Sequence, residues 1–155
     1  MKNGNLIAST HPNSKMFIQN YSDLTLEDIT IDATTNTYDY FYDVSSNYGK
    51  VNIIGNTTLK VNKNTNARAF DMCWAPLVGS ATYNGGTQIT VDTTGTINGI
   101  IELDVWGSYT DENGIKSTLT INNMNFEGKW EIDNRLASQL SILGGKYKST
   151  DTIKS

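Results

Sequence analysis

Acidic residues at strand-like spacing are the first candidates for chemistry in this chain. Glu102 and Asp104 stand two residues apart in an alternating segment, and Asp39 and Asp43 flank a run of tyrosines. Side chains two residues apart in a β-strand point to the same face, so Glu102 and Asp104 could together hold a cation such as Ca²⁺. Pairs of this kind more often keep an exposed strand soluble. We expect that role here, and we predict neither a metal site nor a cofactor.

The single histidine and the single cysteine are weak candidates for catalysis. His11 precedes Pro12 in a polar segment, and we expect a surface turn residue rather than a general base. Cys73 lies in an apolar run, where a small buried hydrophobic residue is expected rather than a reactive thiol. One cysteine also excludes an internal disulfide. We therefore predict no catalytic residues.

Aromatic side chains give the clearest indication of ligand binding. Sugars commonly bind against flat aromatic faces beside amide and carboxylate groups. Cross-strand packing along one face is the alternative role for the tyrosines. The candidate ligand-binding residues, all in or near expected loops and outward positions, are Tyr38, Tyr40, Tyr42, Tyr83, Trp106 and Tyr109.

A pattern of two short strands that meet at a polar corner recurs along the chain. Each copy reads apolar-polar-apolar, then a few polar or glycine residues, then apolar-polar-apolar again. Copies follow at irregular intervals of roughly 20 to 36 residues, which is typical of a coiled β-solenoid. They lie at residues 24–31, 51–61, 87–99, 119–128 and 140–147, and several end in similar turns, namely Asn98-Gly99, Glu127-Gly128 and Gly144-Gly145.

Further strands between these copies would supply the other wall of each coil, at residues 38–42, 67–72, 100–105 and 130–132. No stretch has the apolar period of a long helix, although residues 133–139 could form one helical turn. An antiparallel β-sandwich would also give many short strands, but its strands have no reason to resemble one another. Alternation predicts an interior of Leu26, Ile29, Ile31, Ile53, Leu59, Ile89, Ile121, Phe126 and Ile142.

Bulk properties fit one domain over residues 1–155. The net charge of -4 and the presence of only two arginines, Arg68 and Arg135, argue against nucleic acid binding. No window reaches the apolar length of a membrane span, so membrane insertion is not expected, and the first residues lack a secretory signal. We expect a segment of a larger protein or assembly.

Three of the repeated segments, residues 24–32, 117–128 and 138–147, resemble the right-handed parallel β-helix of the pectate-lyase-like superfamily. The likeness is to its divergent versions in phage tail or head fibres and in bacterial surface proteins. Such phage β-helices usually trimerise, so the resemblance implies a homotrimer. Hydrolases on this fold are similar to one another in a paired aspartate, a Gly-His-Gly and an Arg-x-Lys, and this chain has none of these motifs.

The expected function is therefore a non-enzymatic structural or adhesive β-helix. We expect a component of a bacteriophage fibre or virion surface, with a homotrimer or other virion proteins as partners and a glycan or cell-surface receptor as ligand. An extracellular bacterial adhesin domain is the first alternative, and a polysaccharide lyase is the second. The expected location is the virion surface or the extracellular space.

Overall fold

The chain folds as a parallel β-solenoid of about four turns, and most of the residues that the structure describes lie in strands, with very few in helix. The computed structural model describes residues 1–9, 14–74, 77–78, 81–82, 86–105 and 117–149. Its strands are β1 (Lys2–Ile7), β2 (Met16–Tyr21), β3 (Leu24–Ala33), β4 (Tyr42–Gly55), β5 (Thr58–Val61), β6 (Arg68–Trp74), β7 (Leu77–Val78), β8 (Ala81–Thr82), β9 (Thr87–Val105), β10 (Thr118–Ile132), β11 (Leu140–Ile142) and β12 (Lys146–Ser149).

Strand pairing confirms the solenoid and shows that the antiparallel sandwich is wrong. Within the described residues, every pair in the main sheet is parallel, and the single antiparallel pair is the short β7–β8 hairpin. Parallel strands joined by successive coils keep each residue above its counterpart in the coil before. The register therefore defines straight columns of side chains along the axis.

Each coil passes through three faces in the same order. Face A contains residues 24–27, 51–54, 89–92, 119–121 and 140–142. Face B contains residues 5–7, 30–33, 58–61, 96–98, 125–128 and 146–149. Face C contains residues 16–21, 42–48, 68–74, 100–105 and 129–132.

Aliphatic columns fill the interior, as alternation predicts. On face A, Leu26, Ile53, Val91 and Ile121 are register partners in successive coils, and each is 0% exposed. Burying such a side chain contributes roughly 1.5–3 kcal/mol. The predicted interior positions are confirmed except for Ile142, which is 45% exposed. It lies on β11, which pairs on one side only within the described residues, so no further described coil covers it.

Threonine hydroxyls stabilise the corner between faces A and B. Thr57 is buried, and its Oγ1 donates to the carbonyl oxygens of Ile54 and Leu26 at 2.6 and 3.2 Å. In the next coil, Thr93 Oγ1 donates to the carbonyls of Thr57 and Gly55 at 2.8 and 3.0 Å. Buried backbone carbonyls need hydrogen-bond partners, and these hydroxyls provide them at the corner. This need explains part of the threonine content of the chain.

Two smaller predictions about local structure have different outcomes. A 3₁₀ helix covers Asn134–Gln139, with Asp133 capping it and Leu136 buried, which confirms the predicted helical turn. Cys73 is half-buried, which is less than we expect for a small buried hydrophobic residue. No helix among the described residues is long and apolar enough to span a membrane.

Candidate functional site

The structure separates the predicted aromatic candidates. Tyr40 lies at the corner between faces B and C and is 52% exposed, whereas Tyr42 begins β4 and is half-buried. Tyr38 packs against a small apolar cluster that includes Phe41 and Val61, so it is a packing residue. The remaining candidates, Tyr83, Trp106 and Tyr109, lie outside the described residues, as do His11 and Pro12.

Arg68 draws Tyr40 and Tyr42 into one cluster. Its guanidinium carbon lies 5.0 Å from the centre of the Tyr40 ring and 5.6 Å from that of Tyr42. Its Nη2 donates to Glu102 Oε1 at 2.9 Å and to Glu131 Oε2 at 2.7 Å. The Tyr42 hydroxyl donates to Glu102 Oε2 at 3.0 Å. We call these five residues the tyrosine-arginine cluster.

The coil register explains why the cluster forms. Tyr42 and Arg68 are partners on face C, and so are Glu102 and Glu131 in the following coils. Adjacent parallel strands lie about 4.8 Å apart, which places two like-charged carboxylates close together. Arg68 is 5% exposed and bonds to both, so it offsets their repulsion. Glu102 is mostly buried in this arrangement, and the prediction that it merely solubilises an exposed strand is wrong.

Protonation in the cluster is fixed by its geometry. Burial opposes the charge of Arg68, but the hydrogen bond and charge of Glu102, together with the charge of Glu131, raise its pKa above the ordinary value. Burial and then the neighbouring charge of Glu102 raise the pKa of Tyr42. At neutral pH the cluster therefore holds a cationic guanidinium and a neutral phenol that donates a hydrogen bond to Glu102.

Asp71 lies beside the cluster as the register partner of Glu102. It accepts hydrogen bonds from Ser45 Oγ at 3.0 Å and from the Ser46 backbone amide at 2.6 Å. Burial raises its pKa to about 8, so the neutral acid predominates at pH 7. A neutral carboxylic acid is the form that a general acid requires. Here both carboxyl oxygens of Asp71 are hydrogen-bonded to Ser45 and Ser46 of the preceding coil, which gives the residue a structural role.

The other acidic pair predicted as a candidate does not form an exposed site. Asp39 is exposed and accepts hydrogen bonds from the backbone and side-chain amides of Asn66 at 3.2 and 3.1 Å. Asp43 is 0% exposed, and neither of its carboxyl oxygens has a well-formed hydrogen bond. Burial, followed by the charge of Asp32, raises its pKa well above the usual range. Among the described residues, no three His, Cys, Asp or Glu side chains are grouped to hold a metal ion.

A groove of about 390 Å³ adjoins the cluster at the corner between faces B and C. It arises from unequal loops, because residues 62–67 leave the coil as a loop while β9 and β10 cross the same corner without one. Gly99 and Gly128, which are register partners, form this low floor. An added Cβ at Gly99 would overlap Val61, and one at Gly128 would overlap the carbonyl of Gly99. We call this feature the corner groove.

One wall of the corner groove also supports the cluster. Asn62 in the loop donates from Nδ2 to the Asn36 carbonyl of the preceding coil at 2.9 Å, and Asn66 is held by Asp39. Arg68 Nη1 in turn donates to the carbonyl of Asn66. The wall and the guanidinium are thus one hydrogen-bonded unit. Arg68 therefore connects the exposed ring of Tyr40 to Asn66, which lines the groove.

Charged and amide side chains line the groove. Lys63 and Lys148 both pair with Glu127, at 3.0 and 3.4 Å, and Lys129 pairs with Glu131 of the cluster at 3.2 Å. Asn98 also lines the groove. Sequence reasoning identified Tyr40 and Tyr42 but missed Arg68, the lysines and the groove itself. Only the unequal spacing of the repeats indicated that one coil would carry a longer loop than the next.

No family model, curated protein or solved structure matches this chain. The resemblance to the pectate-lyase-like superfamily therefore remains a prediction, and the parallel β-solenoid is the part of it that the structure confirms.

Proposed function

We propose that the chain is a non-enzymatic, carbohydrate-binding β-solenoid that belongs to a bacteriophage fibre or another virion or extracellular surface. The observation that carries this proposal is the exposed Tyr40 ring, which packs against Arg68, itself hydrogen-bonded to the loop that lines the corner groove. Flat aromatic faces beside amide and carboxylate groups are the usual means of binding sugars.

Preorganisation supports binding at this position. Arg68 is buried, bonded to two carboxylates and tied to the loop wall, so Tyr40 packs against a rigid support rather than a mobile side chain. A ligand that stacks on Tyr40 would lose little free energy to ordering the site. The amide of Asn66, in the loop to which Arg68 is hydrogen-bonded, provides a polar partner for hydroxyl groups.

A binding role without catalysis agrees with the chemistry of the site. The carboxylates of Glu102 and Glu131 both accept hydrogen bonds from Arg68, and that of Asp71 accepts hydrogen bonds from Ser45 and Ser46. The chain also lacks the Gly-His-Gly and Arg-x-Lys motifs of hydrolases on similar folds. Stacked coils form a stiff support that suits display of a binding surface. The homotrimer and the virion location follow from the style of the repeats, as part of the same proposal.

A glycan array probed with the full chain, followed by calorimetric titration of the strongest binder, tests this function. Replacing Tyr40→Ala should weaken binding about tenfold, the upper end of what an aromatic contact contributes. Tyr40→Phe should keep most of the affinity, and Leu143→Ala, which truncates an exposed apolar side chain directly after face A, should not change it. An array without specific binding, or a Tyr40→Ala variant that binds like the parent, would reject the proposal.

A further inference from the structure

Positive charge is concentrated around the corner groove. The whole chain has a net charge of -4. The titratable residues that line the groove are nevertheless Lys63, Lys129 and Lys148 with Glu127, and Lys129 also pairs with Glu131 of the cluster at 3.2 Å. The groove therefore carries an excess of positive charge on an acidic protein, which favours an anionic ligand over a neutral one.

The two lysines that converge on Glu127 define where an anion would bind. Lys63 comes from the loop of one coil and Lys148 from β12, and both reach the same oxygen, Oε1, at 3.0 and 3.4 Å. Hydrogen bonds from Lys63 and then Lys148 lower the pKa of Glu127. The carboxylate of Glu127 thus occupies the position of a ligand oxyanion. Lys63 and Lys148 are 61% and 80% exposed, so exchanging this pairing for a ligand costs little free energy.

Asn98 provides a second, independent indication of a ligand. It lies between Lys60 and Glu127 in the outward column of face B and lines the groove. Its side chain is buried, with 7% of the residue exposed, and its Oδ1 has no hydrogen-bond partner among the described residues. A buried carbonyl without a donor is costly, and a small shift of the amide would let it accept a hydrogen bond from a ligand hydroxyl.

We propose that the corner groove binds an acidic sugar unit, whose oxyanion lies between Lys63 and Lys148 and whose hydroxyl donates to Asn98. This inference rests on the proposed carbohydrate binding and specifies the class of ligand. The groove volume of about 390 Å³ lies within the range of small-ligand sites. A carboxylate and a sulfate present the same oxyanion chemistry to two ammonium groups.

Three oligosaccharides with one backbone separate these sources of charge. All three are hexasaccharides. Unsulfated chondroitin carries carboxylates only, chondroitin sulfate carries carboxylates and sulfates, and carboxyl-reduced unsulfated chondroitin carries no charge. We expect the full chain to bind at least one charged probe about tenfold tighter than the neutral probe, and the tighter probe identifies the preferred oxyanion. Equal affinity for all three, or binding of none at millimolar concentration, overturns the inference.

Variants separate this inference from the proposed function. The double replacement Lys63→Gln/Lys148→Gln should abolish the preference for the charged probe, while the affinity for the neutral probe should stay unchanged. Lys2→Gln is the matched control, since Lys2 is 58% exposed and pairs with Glu27 at 2.7 Å, but lies on β1. Asn98→Ala should lower the affinity for both the charged and the neutral probe. If Tyr40→Ala weakens binding of an array glycan but the double variant keeps full charge preference, carbohydrate binding stands and the acidic-sugar site is rejected.

Discussion

Glu102 and Glu131 are register partners on adjacent coils, and both accept a hydrogen bond from the same guanidinium nitrogen of Arg68. Two carboxylates in this position would repel each other without the cation. Arg68 therefore links three coils of face C and fixes the ring of Tyr40. The site and the stability of the coil stack depend on the same residue.

Removing the guanidinium should destabilise the solenoid. We expect Arg68→Ala to lower the free energy of unfolding by about 3 kcal/mol, because it removes the buried cation between two carboxylates and leaves Glu102 only the Tyr42 hydroxyl and Glu131 only the exposed Lys129. Urea unfolding followed by circular dichroism measures this change. Lys129→Ala is the control, since Lys129 is an exposed partner of Glu131 and should change stability by less than about 1 kcal/mol. Equal losses in the two variants would show that Arg68 acts only as a surface charge.

The buried acid Asp71 should make stability depend on pH. Its pKa is about 8 in the folded chain against an ordinary 3.8, so the unfolded chain releases this proton at lower pH. The contribution of Asp71 is therefore fully present below about pH 4 and is lost progressively as the pH rises to about 8. Asp43, whose pKa is also raised, acts in the same direction.

The variant Asp71→Asn isolates this effect. The unfolding free energy of the parent should fall more steeply between pH 4 and pH 8 than that of the variant, because only the parent carries the ionisable group. Urea titrations of both proteins across this range provide the measurement. Parallel pH profiles would contradict the assignment of Asp71 as a buried neutral acid.

The floor of the corner groove should require glycine. We expect Gly99→Ala to lower the free energy of unfolding by about 2 kcal/mol or more, because the backbone has a φ of 126° and a Cβ would overlap Val61. Gly4→Ala is the matched control, since nothing lies within 4 Å of its added Cβ. Calorimetric melting of the two variants tests the difference. A Gly99→Ala protein as stable as Gly4→Ala would show that this corner relaxes freely.

The threonine corner should also be sensitive to loss of one hydroxyl. Thr57→Val keeps the shape of the side chain but leaves the carbonyls of Ile54 and Leu26 without their donor. We expect a loss of about 1–3 kcal/mol, since the unpaired groups are buried. Thr96→Val, at an exposed position on face B, should change stability little. Chemical unfolding of both variants distinguishes a structural hydroxyl from a merely polar surface.

The interior of the fold was predictable because each coil repeats the same alternation. Ile31, Leu59 and Phe126 could be assigned to the core from their neighbours alone, since a strand buries every second residue. Ile142 followed the same rule and failed, because burial also requires a neighbouring coil on both sides. That condition depends on stacking order, which local alternation does not contain.

The site was less predictable because its residues come from distant positions. Arg68 meets Glu102 and Glu131 across 34 and 63 residues, through coils of unequal length. The position of Tyr40 near an expected loop suggested ligand binding, but nothing local indicated its contact with Arg68. The corner groove depends on the difference between one long loop and two tight glycine corners, which becomes visible only when the coils are aligned.

Chemical-shift mapping on the isotope-labelled chain tests the central claim most directly, with the oligosaccharide that binds best on the array as titrant. The account predicts that backbone amides of Asn66, Gly99 and Gly128 shift together on titration, while Asn52 and Thr120 on face A do not. Shifts confined to face A, or spread evenly over all three faces, would contradict a carbohydrate site at the corner groove.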